Sequence, residues 1–280
     1  MRSLEYVCAA TGGRIGFEGP VYGETMTGLR GREWSYSVGG RGLSDIIRKA
    51  RELTMNVKVN RSETSLDLMH TMFDADMHAG TPGRLVCDGE WEAQAWIPKT
   101  SIKSISPTMV EAELTIVLHD GQWRRMATTQ RFSPLAAVTD ETLDQPYDLP
   151  VDLSSPRLVM HVHNPSPTDS EFVCRVFGQA TNPQFTVGAN LYQLNDVIVP
   201  DGGYLTLTAL NDRKSIVLTA PNGDRVDVFS SGMRGSGKGC GTYVFEPIPS
   251  GDSVLTWPGD YTLEFDVYEA QGAPPWSTSS

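Results

Sequence analysis

The sequence predicts a mainly β protein in two domains, the first of which carries a single helix. Three observations point there. Apolar stretches are short and alternate with polar residues, as in strands buried on one face. The 27 Gly and 18 Pro are spread along the chain and punctuate those stretches. Only one segment holds apolar residues at three- and four-residue steps between clear start and stop signals.

The elements follow in order. Arg14 to Phe17 and Trp34 to Val38 read as short strands. Leu43 to Leu53 is ambiguous: Leu43, Ile46, Ile47, Ala50 and Leu53 fit a helical face, yet no stop signal precedes the next strand. Met55 to Val59 alternates strictly and reads as a half-buried strand. Residues 65–78 form the predicted helix. Leu66, Met69, Phe73 and Met77 make its apolar stripe, Ser62 or Thr64 caps its start, and Gly80 with Pro82 ends it. Strands resume at Arg84 to Cys87, Glu92 to Ile97, Ile102 to Ser106 and Val110 to His119. In the last of these, Val110, Ala112, Leu114, Ile116 and Leu118 line one face, and Asp120-Gly121 supplies a turn.

Pro134, Pro146, Pro150 and Pro156 then interrupt a stretch of little periodicity, so residues 134–156 read as a linker between a domain over 1–133 and a second over 157–270. The second domain shows strands at short spacing and no convincing helix, with Asn222-Gly223-Asp224 as a hairpin turn. That pattern predicts a β-sandwich. Residues 271–280 read as a tail leaving the domain.

Composition narrows the function classes. The formal net charge of -11 and the lack of a basic stripe argue against nucleic-acid binding, which draws on Lys and Arg to displace counterions. Cys8, Cys87, Cys174 and Cys240 are far apart and form no C-x-x-C pair, so they read as free thiols and not as a zinc site. No apolar run has the length of a signal peptide or a membrane helix, which implies no membrane insertion.

Four features could carry chemistry. Gly232 to Gly239 satisfies G-x-x-x-x-G-K, but Gly239 follows Lys238 where Ser or Thr is required, and a strand follows where a helix is required. His161 and His163 share a strand face but lack a third ligand close in sequence, so they read as ordinary histidines. Asp74, Asp76 and His78 read as the solvated side of the helix end. Of the six tryptophans, Trp257 is the residue singled out for stacking on a sugar ring, although most Trp are expected in cores or subunit interfaces. No catalytic, cofactor-binding or metal-ligating residue is assigned, no cofactor is expected, and the chain reads as a non-enzyme.

Ordered strings add a resemblance. Gly28-Leu-Arg-Gly-Arg-Glu-Trp34, the helix from Ser65, and Pro82-Gly83-Arg-Leu85 occur in the first half. Gly178-Gln-Ala-Thr-Asn182-Pro183, Tyr192-Gln-Leu-Asn195, Gly203-Tyr-Leu205, Asn222-Gly223, Phe245-Glu-Pro247-Ile-Pro249-Ser-Gly251 and Trp257 follow in the second, with Pro274-Pro275-Trp276 near the end. Over nearly its whole length the chain resembles the distal tail proteins of long-tailed, non-contractile phages.

That resemblance implies an N-terminal split β-barrel with a helix, related to tail-tube proteins, and a galectin-like C-terminal sandwich. It implies a virion protein at the distal end of the tail, made in the bacterial cytoplasm. Six copies would close into a ring between the tail-tube protein and the host-recognition apparatus. The implied partners are the tail-associated hub protein, the tape-measure protein and receptor-binding or baseplate proteins, with DNA only passing through the channel. Long loops at Met26 to Arg51 and Gly232 to Gly241 would reach neighbours. The competing function is a carbohydrate-binding module or adhesin that uses the sandwich and Trp257.

Overall fold

A computed structural model of the chain describes residues 3–23, 27–61, 64, 66–134, 159–210 and 213–274. The mainly β expectation holds. The chain divides into two compact units, residues 1–125 with 270–280, and residues 126–269. The linker expected at 134–156 lies, from residue 135 on, outside the described residues, as do Ser62, Ser65 and Trp276.

The first unit holds β1 (Leu4–Val7), β2 (Arg14–Gly16), β3 (Val21–Gly23), the short α1 (Thr27–Arg30), β4 (Ser35–Gly39), β5 (Gly42–Ile47), β6 (Arg51–Asn60), α2 (Leu66–Ala79), β7 (Gly83–Cys87), β8 (Trp91–Ile105) and β9 (Met109–Leu118). β10 (Trp123–Phe132) begins in it and continues in the second unit. Seven antiparallel strands run in the order β2-β1-β7-β8-β9-β6-β3. β8 is the hinge of this sheet. Its first residues pair with β7, and after the register shift between Trp96 and Lys99 it pairs with β9 alone. A bulge of this kind bends a strand, which curls the sheet around one core.

That core takes alternate residues from each strand, among them Tyr6, Met55, Val57, Leu85, Ala112, Leu114, Ile116 and Trp123, and α2 closes it with Met69 and Phe73. In β9 the inward residues are the alternating set that the sequence marks. The segment from Leu43 to Leu53 is strand in β5 and β6, not helix. Leu43, Ile46 and Ile47 face no core, because every residue of β5 is exposed, whereas Leu53 in β6 is buried. The supposed loop from Met26 to Arg51 is α1 plus a two-stranded ribbon, with residue 26 outside the description.

The second unit contains most of β10 with β11 (Met160–Asn164), β12 (Glu171–Phe177), β13 (Ala180–Thr181), β14 (Gln184–Val187), β15 (Asn190–Gln193), β16 (Ile198–Val199), β17 (Tyr204–Leu210), β18 (Arg213–Thr219), β19 (Arg225–Asp227), β20 (Gly251–Thr256) and most of β21 (Thr262–Gln271). One sheet runs β19-β18-β17-β12-β21-β10 and another β11-β20-β14-β15. Phe172, Leu207 and Phe265 from the first meet Val162, Phe185, Val187 and Tyr192 from the second in one buried cluster. Two sheets around a shared core make this unit a β-sandwich. Phe185 stacks on Tyr192 at 4.9 Å and meets Phe265 edge-on at 5.4 Å, both favoured ring geometries.

Among the described residues no helix is long and apolar enough to cross a membrane. The four cysteines are free.

Candidate assembly surfaces

The end of α2 is only in part the solvated face that its sequence suggests. Asp74 and His78 are exposed, but Asp76 is 1% exposed. Its carboxylate accepts the Tyr6 hydroxyl at 2.5 Å, the Ala10 amide at 2.8 Å, the Ala9 amide at 3.2 Å and the Cys8 thiol at 3.2 Å. Burial, and then the hydrogen bond to Asp76, push the Tyr6 phenol well above its ordinary pKa, so it stays a donor. The inward stripe of α2 is therefore Met69, Phe73 and Asp76, while Met77 points outward at 47% exposed. The carboxylate ties α2 to the segment after β1. It is a structural fastening whose acceptor sites are filled.

The Gly-rich loop has turned on itself. Gly235, Gly237, Gly239 and Gly241 all take positive φ, which glycine tolerates best. The Gly239 amide donates to the Glu246 carboxylate at 2.8 Å. A phosphate would meet that carboxylate at the same amide, and turns follow where a P-loop needs a helix. Cys240 sits in this loop. Hydrogen bonds from the Thr242 side chain and backbone lead the causes that bring its thiol down to about 7.

His161 and His163 both point outward from β11. His163 Nδ1 lies 2.7 Å from Asp252 Oδ1, and its amide donates to Gln130 Oε1 at 2.7 Å. Among the described residues no three His, Cys, Asp or Glu side chains gather as metal ligands. On the other sheet Arg175 bridges Glu264 at 2.9 Å and Asp266 at 2.7 Å, and Thr129 donates to Asp266 at 2.7 Å. Burial disfavours the Arg175 charge, but these two carboxylates outweigh it and raise its pKa.

Trp257 lies in the sandwich core at 8% exposed. Its Nε1 donates to the Tyr261 carbonyl at 3.0 Å, and its ring meets Phe132 at 6.2 Å. Little of the ring is left for a sugar to stack on.

An exposed apolar feature is the ribbon of β4 and β5, which among the described residues pair only with each other. Its base is well held. Leu29 of α1 is buried, Arg51 donates to the carbonyls of Gly28 and Gly31, and the Arg48 guanidinium lies 4.4 Å from the Trp34 ring centroid. Beyond that base Tyr36, Val38, Leu43, Ile46 and Ile47 are each at least 50% exposed. The sequence marks Trp34 to Val38 as a strand, and among the described residues that strand pairs only with β5.

No protein-family model matches the sequence, and a search of curated proteins returns no relative. Solved structures do match. The crystal structure of the Dit protein of phage SPP1, described as a paradigm of the hub adsorption apparatus in phages infecting Gram-positive bacteria, aligns over 96% of this chain and 98% of that one, with a TM-score of 0.53 and 12% identity. A chain of the phage P2 baseplate in its activated conformation with Ca aligns over 98% of this chain and 100% of that one, with a TM-score of 0.60 and 7% identity. The corresponding baseplate structure with Sr has a TM-score of 0.61 and 8% identity over the same shares. The chain thus has the fold of these phage hub and baseplate proteins, over both units and with little sequence in common.

Proposed function

We propose that this chain is the distal tail protein of a long-tailed phage, a structural component of the virion and not an enzyme. One observation carries the reading: an alignment that spans both units with the SPP1 Dit protein and with a baseplate chain of phage P2. Order along the chain supports it too, since the strings that suggest the family run through both units.

In this reading six copies close head to tail, with two different faces of each subunit in contact. The ring joins the tail-tube protein to the hub, tape-measure and receptor-binding proteins of the host-recognition apparatus. Its channel passes DNA without holding it, for which an acidic chain is suited. The first unit builds the ring and the sandwich carries partners outward.

Light scattering on the purified protein after gel filtration tests this. A particle of about six times the 30.7 kDa chain mass is expected. A monomer at every concentration up to the solubility limit would overturn it.

A further inference from the structure

The ribbon Ser35–Ile47 is built to be covered. Val38 and Leu43 sit opposite each other across the strand pair, and Tyr36, two residues before Val38, lies on the same side. This makes one apolar face on strands of five and six residues. An isolated two-stranded ribbon of that length is marginal in water. Both outer edges also carry backbone groups that no other strand of the described fold pairs, and such edges invite pairing with another chain.

Charge identifies the partner. The chain has 23 basic and 34 acidic side chains, yet the segment from Arg30 to Arg51 holds six of the basic ones against only Glu33 and Asp45. A positive arm on an otherwise acidic molecule complements a second copy of that molecule. Duplex DNA is the other polyanion to weigh. The basic residues, however, lie at the base of the ribbon as Arg30, Arg32, Arg48, Lys49 and Arg51, with Arg41 alone at its tip. The exposed strands between them present Tyr36, Val38 and Leu43, side chains that phosphates do not bind.

We infer that the Ser35–Ile47 ribbon is an arm that docks on a second copy of this chain, covering Tyr36, Val38 and Leu43 and steered by the basic residues at its base. The inference rests on the reading of the chain as a self-assembling ring and names the surface that makes its contact. The direction is head to tail, because an arm meeting a different face of its neighbour propagates around a ring.

Two measurements on the full chain separate the arm from the ring. Val38→p-benzoylphenylalanine, irradiated at assembly concentration, is expected to cross-link one copy to another. No adduct between copies would overturn the arm. The pair Val38→Asp with Leu43→Asp is expected to raise the protomer concentration needed for assembly at least about tenfold, equivalent to losing one interfacial anchor. Both sites are exposed, so the melting temperature of the protomer should hold; if it falls, Val38→Ser with Leu43→Ser replaces the pair.

Unchanged assembly in a folded variant would remove the arm and leave the ring standing. Cross-links at position 38 from a protein that never reaches six copies would remove the ring and leave the arm. Loss of duplex DNA binding in the variant without loss of assembly would assign the ribbon to DNA and overturn the proposal.

Discussion

The buried carboxylate of Asp76 offers the sharpest energetic test of the first unit. Asp76→Ala removes the acceptor of the Tyr6 hydroxyl, the Ala9 and Ala10 amides and the Cys8 thiol. Tyr6 is fully buried, so its hydroxyl cannot turn to water. An orphaned buried donor costs about 1–3 kcal/mol, and the bond lost is one to a charged acceptor. Ala9 and Ala10 are exposed, so their amides recover part of their loss by binding water. Together these place Asp76→Ala at about 3–5 kcal/mol of lost stability. Asp76→Asn keeps one acceptor oxygen and the shape, and should cost about 2 kcal/mol. Urea unfolding followed by tryptophan fluorescence reads this, because Trp91 and Trp123 are buried in the same core. A chain of two units can unfold in two steps, so the transition reported by these residues is the one to compare. A cycle with Tyr6→Phe isolates the pair itself. A loss below about 1 kcal/mol for Asp76→Ala would refute the claim that this carboxylate fastens α2 to the segment after β1.

Further outcomes follow from other sites. Gly83→Ala should destabilise the same unit by about 1–3 kcal/mol, as overpacking does, since a Cβ there would lie 2.3 Å from the Tyr6 hydroxyl oxygen and 2.6 Å from Asp76 Oδ2; a melting temperature equal to wild type would contradict this. Trp257→Ala should cost about 3–5 kcal/mol in the sandwich through lost packing. A glycan array that shows sugar binding abolished by this change, with the melting temperature intact, would reverse that assignment. Cys240 should be the thiol that iodoacetamide alkylates first in the native protein, with a rate that rises as pH passes about 7 because the thiolate is the nucleophile. Burial pushes the Cys87 thiol up to about 12 and keeps it silent over the same range. Peptide mapping that finds Cys87 labelled as fast as Cys240 would count against this.

Much of the β architecture was legible because alternation in a sheet with one buried face leaves a direct trace. Val110 to Leu118 shows it plainly, and so does Met55 to Val59. At Asn182-Pro183, a string that carries the resemblance, Asn182 takes φ 48 and its side chain accepts the Val197 amide at 3.1 Å. Where one local rule had to choose a face, it chose less well. Met77 continues the helical stripe by hydrophobicity, yet the inward position goes to Asp76, because the segment after β1 brings donors that only an acceptor satisfies. Nothing near Asp76 in sequence announces those donors, which are more than 60 residues away. β10 leaves little trace in the sequence, because polar side chains such as Arg125, Thr129 and Gln130 hide its period. Trp257 is buried beside Phe132, a ring remote in sequence, so the residues next to it give no sign of its surroundings. The second half of the 35–47 ribbon is ambiguous in sequence, because Leu43, Ile46 and Ile47 fit a helical face as well as a strand and every residue of β5 is exposed.

Negative-stain electron microscopy of the purified full-length protein tests the central claim most directly. The account predicts closed particles whose class averages show six-fold symmetry around a central opening. Single particles the size of one protomer, or open filaments without closure, at concentrations where the protein is folded would contradict it.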